Sequence, residues 1–472
     1  MTPYKHVLCV YPYRRELNDV GFFPPVGLES IAKVIQPFTR DLDVVDLRKE
    51  KGRTADFIRP DTGMVCFSVN WDRDRDTLLD QVRSVPQGIL TIVGGRHATE
   101  DPQRWLADCP GVTAVVRGDG EEAMEEICRG VPLEQIAGLS FRRAGRIIHN
   151  SNRAVGPVQD DGFPDRRLRK YTYDVTVGGA GTGLEVDLVA SSRGCPFHCT
   201  FCSFSRNPWG TKRKWSARSP QSVVAELEQV RARIVVFTDD LFTHDLDRVE
   251  EICDLIVARR IRKKYIVNTR LEIARRPDIL RKMEQAGFAV LMLGIESAHD
   301  RTLKSMQKGF DTAKIREYFT VLRRSRMLLN GYFILGNIGE SLQDMERILP
   351  FARELGLDTI ALSTLRVAPY SGLDELVAAS PGYHVDPHGK VFSDEYSVAD
   401  LRDLRRRYNR EFYSPAQMFK ILRKGARGGW LRLLPGLLPR LPGLTWHTAT
   451  HLRARARRHA LKRAERQCAV AP

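Results

Sequence analysis

Apolar positions along the chain fall into two successive sets of short runs. Through the first 150 residues, runs of Val, Ile and Leu alternate with segments of helical spacing. His6–Tyr11, Leu42–Leu47, Met64–Val69, Ile89–Val93 and Ala114–Val116 read as strands. Gly27–Ile35 and Thr77–Val85 read as helices, and an acidic helix opens at Glu121. Strands that are apolar throughout are buried on both faces. Their alternation with helices predicts a doubly wound parallel sheet. Ile136–Asn150 reads as a hairpin closing this unit.

The alternation resumes further on. Strand runs lie at Leu184–Ala190, Ile234–Phe237, Tyr265–Thr269, Val290–Ile295, Gly331–Leu335 and Thr359–Leu365. Amphipathic helices Ser222–Val230, Leu246–Ala258, Pro277–Gln285, Ala313–Arg324 and Leu342–Leu355 separate them. Such repeats predict a partial (β/α)6 barrel, with functional groups at the carboxyl ends of its strands. Residues 151–183 read as a linker rich in Gly, Pro and charge. Its basic run Arg166-Arg167-Leu168-Arg169-Lys170 is expected to lie across the domain interface. After Leu373 the repeat stops. Residues 376–472 are expected to be mainly helical, with helices at Asp400–Phe412 and Pro415–Lys424. A Leu/Trp/Arg-rich stretch, Gly428–Trp446, and a basic tail, Arg453–Arg466, follow. The expected fold is α/β: a Rossmann-like doubly wound domain over 1–150, the linker, a partial barrel over 184–375, and the C-terminal region.

Composition narrows the class. The 472 residues suffice for two or three cores. Nine cysteines, an odd number and scattered apart from one trio, do not make a secreted disulfide framework. Cys9, Cys66, Cys128 and Cys253 lie in apolar or amphipathic runs and read as small buried hydrophobes. Met1–Arg14 lacks the form of a signal peptide. No run of about 18 apolar residues offers a membrane span, so a reducing cytoplasm is the expected location. A net charge of +16 permits an anionic partner without requiring one. The Leu, Trp and Arg of Gly428–Trp446 suit peripheral contact with a membrane surface. No aromatic reader motif accompanies the basic tail, so no specific nucleic acid is expected.

The chemistry concentrates at the end of the run Leu184–Ser192, in Cys195-Pro-Phe-His-Cys199-Thr-Phe-Cys202. At this spacing one loop can aim three thiols at one centre. Three is one short of the four that close a structural zinc site or an ordinary iron–sulfur cluster, so the centre keeps an open position. A zinc knuckle completed by His198 is the alternative. The spacing, with Phe201 just before the last cysteine, resembles the signature of radical S-adenosylmethionine (radical SAM) enzymes. That resemblance implies a [4Fe–4S] cluster on Cys195, Cys199 and Cys202, with SAM on the fourth iron. It also implies an electron donor such as flavodoxin or ferredoxin. SAM contacts would lie at the strand ends: Thr238, Asp239 and Asp240 near the amino group, and Arg270 at the third strand. Glu296 and Ser297 would lie near the ribose and carboxylate, and Gly336 beside the adenine. Phe201 would help shield the radical. Pro369-Tyr370-Ser371-Gly372 is similar to a turn of one subclass.

In the first domain no G-x-G-x-x-G opens the first helix, so a dinucleotide is not expected. Its strand ends carry Pro24-Pro25-Val26-Gly27, Gly94-Gly95-Arg96-His97-Ala98-Thr99 and Gly118-Asp119-Gly120-Glu121. Ligands of such sheets sit at those ends. The order resembles the cobalamin-binding domain that precedes the barrel in a large radical SAM subclass. Cobalamin would then be cradled by the loops of Gly94, Gly95, His97, Gly118 and Glu121. The Asp-x-His-x-x-Gly motif, which supplies a cobalt ligand in many cobalamin proteins, is missing, so no protein histidine is expected on cobalt. The joint resemblance implies methylation of an unactivated carbon on a small substrate, hydrophobic molecules among the candidates, with cobalamin as methyl carrier. Alternatives are cyclisation or rearrangement on the same architecture, a tRNA methylthiotransferase, and a non-catalytic cobalamin-binding module.

Overall fold

The computed structural model describes residues 3–14, 23–71, 74–177, 180–202, 212–367 and 371–433. The first sheet comprises β1 (Tyr4–Tyr11), β2 (Thr39–Asp46), β3 (Thr62–Ser68), β4 (Leu90–Gly94), β5 (Ala114–Val116), β6 (Leu139–Arg143) and β7 (Arg146–His149). Their order is β2-β1-β3-β4-β5-β6-β7. β1 to β5 are parallel, and β6 and β7 form the antiparallel hairpin. The order reverses between β1 and β3, which places crossover helices on both faces. Val7, Leu8, Cys9 and Val10 of β1 are accordingly wholly buried.

The second sheet is a curled half barrel. It contains β8 (Asp174–Val177), β9 (Ala180–Val189), β12 (Ile234–Phe237), β13 (Lys264–Thr269), β14 (Phe288–Glu296), β15 (Leu328–Leu335) and β16 (Thr359–Thr364). A short antiparallel pair, β10 (Ser192–Arg193) and β11 (Ser216–Ala217), flanks the cysteine loop. The order is β16-β15-β14-β13-β12-β9-β8, parallel except for β8. Phe237, Phe242, Tyr265 and Phe288 form an aromatic cluster in its core, with centroids 4.6 to 6.2 Å apart.

Helix boundaries follow local chemistry. Ser219, Asp245 and Asp311 accept hydrogen bonds from the first-turn amides of the helices they precede. The single helix expected over Leu342–Leu355 is instead two, Leu342–Glu346 and Ile348–Glu354. Pro350, which has no N–H to give to the previous turn, sits in the first turn of the second piece, where it is tolerated. The C-terminal region carries helices Val398–Phe412 and Pro415–Arg427, but also an unexpected hairpin, β17 (Tyr383–Val385) with β18 (Val391–Ser393). Of the Gly428–Trp446 stretch only the part to Leu433 is described, and the basic tail and Pro369-Tyr370 lie outside the described residues. Among the described residues no helix is long and apolar enough to cross a membrane.

The basic run of the linker is drawn into the domain interface. Arg169 pairs with Glu29 of the first domain at 2.7 Å and with Asp187 of β9 at 2.8 Å. Arg166 pairs with Asp187 at 2.8 Å and Glu226 at 2.7 Å. Arg167 points outward and, among the described residues, pairs with its neighbour Asp165. Glu29 and Asp187 are almost wholly buried; Asp187 keeps Arg166, but removing Arg169 strands the Glu29 carboxylate. Arg169→Met should therefore lower stability by about 3–5 kcal/mol, the usual cost of breaking a buried pair. Chemical denaturation checks this, and Arg167→Met should leave the midpoint in place.

Candidate active site at the junction of the two sheets

The cysteine loop hangs from the carboxyl end of β9, and two neighbouring carboxylates pin it there. Asp239 Oδ1 accepts the Ser191 amide at 2.8 Å, and its Oδ2 accepts both the Ser191 and Ser192 hydroxyls at 2.6 Å. Asp240 accepts the Gly194 amide at 2.8 Å. Burial pushes both carboxyls above their ordinary range, against the pull of these bonds. Gly194 has φ +87°, and a Cβ there would lie 2.7 Å from the Lys214 carbonyl oxygen, so only glycine fits. Thr238 lies beside Val189, whose carbonyl accepts its amide. Asp239 and Asp240 thus anchor the loop, Thr238 continues the pairing of β12 with β9, and both oxygens of Asp239 are already engaged.

Cys195, Cys199 and Cys202 are all half-buried on this loop. The Cys202 amide donates to the Cys199 carbonyl at 3.2 Å, closing a turn between them. Phe201 packs with the apolar cluster of Met306, Ile334, Leu365, Leu373 and Val391. His198 Nε2 lies 2.7 Å from the Lys212 ammonium. That contact engages the ring with a cation and does not suit a fourth zinc ligand.

Beneath the loop, the ends of β13 and β14 come together. The Arg270 guanidinium lies 3.7 Å from the Phe197 ring centroid and donates to the Lys308 carbonyl at 2.5 Å. Lys308 Nζ in turn lies 3.2 Å from Glu296 Oε1 in a buried pair. Glu296 holds φ +73°, a strained backbone for a non-glycine residue, at a register shift of the β14–β15 ladder. Ser297 donates to Glu340 at 2.8 Å, and burial raises that carboxyl. Gly336, at the end of β15, has φ +76°. A Cβ there would lie 2.8 Å from Leu401 Cδ1 of the C-terminal helix, so the missing side chain makes room for packing.

The first domain opens a cavity of about 340 Å³ at its carboxyl edge. Gly94, Gly95, Gly118 and Glu121 line it with Ser68 and Asn70, while Leu28, Ile31, Phe67, Ile92 and Met124 make apolar walls. A glycine rim over an apolar depth fits a bulky ligand with a flat apolar part, as cobalamin has. His97 does not line the cavity. Its ring packs edge-on to Trp105 at 6.1 Å and lies 4.0 Å from Glu100, a role in the loop itself.

Arg193 reaches this cavity from the barrel side. It pairs with Asp119 at 3.4 Å and Glu121 at 3.3 Å, and Arg213 pairs with Asp119 at 2.9 Å. Burial raises the Asp119 carboxyl, but the two guanidiniums outweigh it and hold the group below its ordinary range. The sequence reading missed Arg193 and Arg213. Their only signal is adjacency to the cysteine loop, and nothing in one sequence pairs them with Asp119.

Two substitutions separate the cavity from the loop that frames it. A Cβ on Gly94 would meet its neighbours at 3.9 Å, so Gly94→Leu should fold and push its side chain toward the cavity. Cobalamin retained after gel filtration should fall at least tenfold, with unchanged thermal stability. Gly95 has φ +100°, and a Cβ there would lie 2.6 Å from the Val69 carbonyl oxygen. Gly95→Ala should therefore lower stability as well as binding.

Two family models match the chain, the B12 binding domain over residues 18–128 and the radical SAM superfamily over 189–352. An uncharacterized methyltransferase of Pyrococcus horikoshii is 26% identical over 76% of this chain and 78% of its own length. The anaerobic magnesium-protoporphyrin IX monomethyl ester cyclase of Cereibacter sphaeroides is 26% identical over 63% of this chain, which spans only 50% of that enzyme. Among solved structures, the radical SAM methyltransferase TsrM of Kitasatospora setae, with cobalamin and a [4Fe–4S] cluster bound, matches with a TM-score of 0.68. That match covers 88% of this chain and 90% of TsrM at 15% identity. The two matched domains, in this order and on this fold, make the chain a cobalamin-dependent member of the radical SAM superfamily, an enzyme that uses a [4Fe–4S] cluster, SAM and cobalamin.

Proposed function

We propose that this enzyme transfers a methyl group to a carbon atom of a small molecule. The observation that carries the proposal is the shared wall: Arg193, two residues before Cys195, also lines the cavity assigned to cobalamin. A substrate between the two would face both cofactors. When bound, the cluster supplies the electron that cleaves SAM, and cobalamin supplies the methyl group.

The chain's own groups divide the remaining work. Cys195, Cys199 and Cys202 hold the cluster, and Asp239 and Asp240 fix the loop that carries them. Arg270, Glu296 and Ser297 meet the polar groups of SAM from the strand ends, with Lys308 orienting Glu296 through their 3.2 Å contact. Phe201 and Phe197 keep water from the centre. Gly94, Gly95, Gly118 and Glu121, which line the cavity, would receive cobalamin. A one-electron donor of the flavodoxin or ferredoxin type supplies the reductant.

Methyl transfer is favoured over cyclisation by coverage. The methyltransferase relative matches along most of both chains, whereas the cyclase match covers half of the cyclase. Turnover with deuterated-methyl SAM and candidate small molecules tests the reading. The expected product carries the labelled methyl on carbon, alongside 5′-deoxyadenosine. Consumption of substrate with no label incorporated would point to cyclisation or rearrangement instead. Replacing Cys195, Cys199 and Cys202 together by Ala should abolish both the iron and the 5′-deoxyadenosine.

A further inference from the structure

The rim of the cavity and the cysteine loop are joined by one continuous set of contacts. The Thr99 hydroxyl donates to the Gly95 carbonyl at 2.9 Å and accepts the Gly118 amide at 3.1 Å, tying the two glycine loops together. Asp119 and Glu121, next in the chain, grip Arg193 and Arg213. Arg193 is followed by Gly194, which Asp240 holds, and then by Cys195. On the other arm, Lys212 beside Arg213 donates to the Pro196 carbonyl at 2.6 Å and contacts His198. The acidic loop therefore holds the cysteine loop from both sides.

We infer that Arg193 and Arg213 are positioning residues that couple the two cofactor sites, so that cobalamin and SAM each tighten the binding of the other. This rests on the assignment of the cavity to cobalamin. A ligand in the cavity orders Gly95 and Gly118–Glu121, and through the arginines it orders the loop that presents the cluster to SAM. The second ligand then meets a loop already in place and gives up less conformational freedom. Linkage requires the effect to be reciprocal: SAM must tighten cobalamin by the same factor. Neither arginine need touch the reacting atoms.

The test measures SAM affinity by equilibrium dialysis on cluster-loaded protein without reductant, with and without hydroxocobalamin. Cobalamin should tighten SAM by at least about fivefold, the lower end of ordinary coupling between sites. Arg193→Gln, Asp119→Asn and Arg213→Gln should each bring that factor toward one. Iron content should stay the same, and Arg213→Gln, at a residue outside the cavity lining, should still bind each ligand alone. Arg193→Lys should restore part of the coupling. Three separate variants guard against one that fails to fold. Equal SAM affinity with and without cobalamin in the unaltered protein, or full coupling in all three variants, would overturn the inference alone. Unaltered protein that binds no cobalamin would overturn the cavity assignment and this inference with it.

Discussion

The grip of an acidic loop on two arginines sets the geometry on which the rest of this enzyme depends. Gly118–Glu121 ends β5 of one domain, while Arg193 and Arg213 bracket the cysteine loop of the other. Without that grip the domains would still fold, each around its own sheet and its own apolar core. The grip is what brings these particular loops into contact. The groups at this junction remain half-exposed, with Arg193 34% and Asp119 41% accessible. The pairing therefore acts mainly through direction. It fixes which loops meet, while the network around Arg169, Glu29 and Asp187 joins the domains at a buried site where breaking a pair would leave an uncompensated charge.

Behind the grip lies a second constraint, the fastening of the cysteine loop to β12. Asp239 is wholly buried and spends both oxygens on Ser191 and Ser192. Such a satisfied carboxylate rigidifies its surroundings, and an unsatisfied one there would be costly. The contacts of Arg270, Lys308 and Glu296 extend the same rigid base under the loop. Together they secure the end of the turn that precedes Cys195, which suits a cluster that must keep one iron open to a second ligand.

Much of this was legible in the sequence, for identifiable reasons. Strands buried on both faces, such as Val7–Val10, carry short continuous apolar runs set between turn signals. The cysteine trio is legible because its spacing is the chemistry. Less visible were features made by partners far apart in the chain. β8 is a polar edge strand inside a stretch that reads as linker. Asp239 carries the right residue type at the right strand end, yet its oxygens turn toward the loop and away from an open site. Gly336 reads as a close backbone approach, and so it is, but to Leu401. His97 stands in a glycine-rich loop and is drawn off by Trp105 and Glu100. The pairing of Asp119 with Arg193 and Arg213 has no local signal at all, because it exists only once both sheets are built.

The central claim is that the cobalamin cavity and the cluster loop face each other across a fixed junction. Electron paramagnetic resonance of protein carrying both cob(II)alamin and the reduced cluster tests it most directly. Two paramagnets held at adjoining sites should broaden or split each other's signals, and the interaction should disappear in protein loaded with either one alone. A spectrum equal to the simple sum of the two separate signals would contradict the claim.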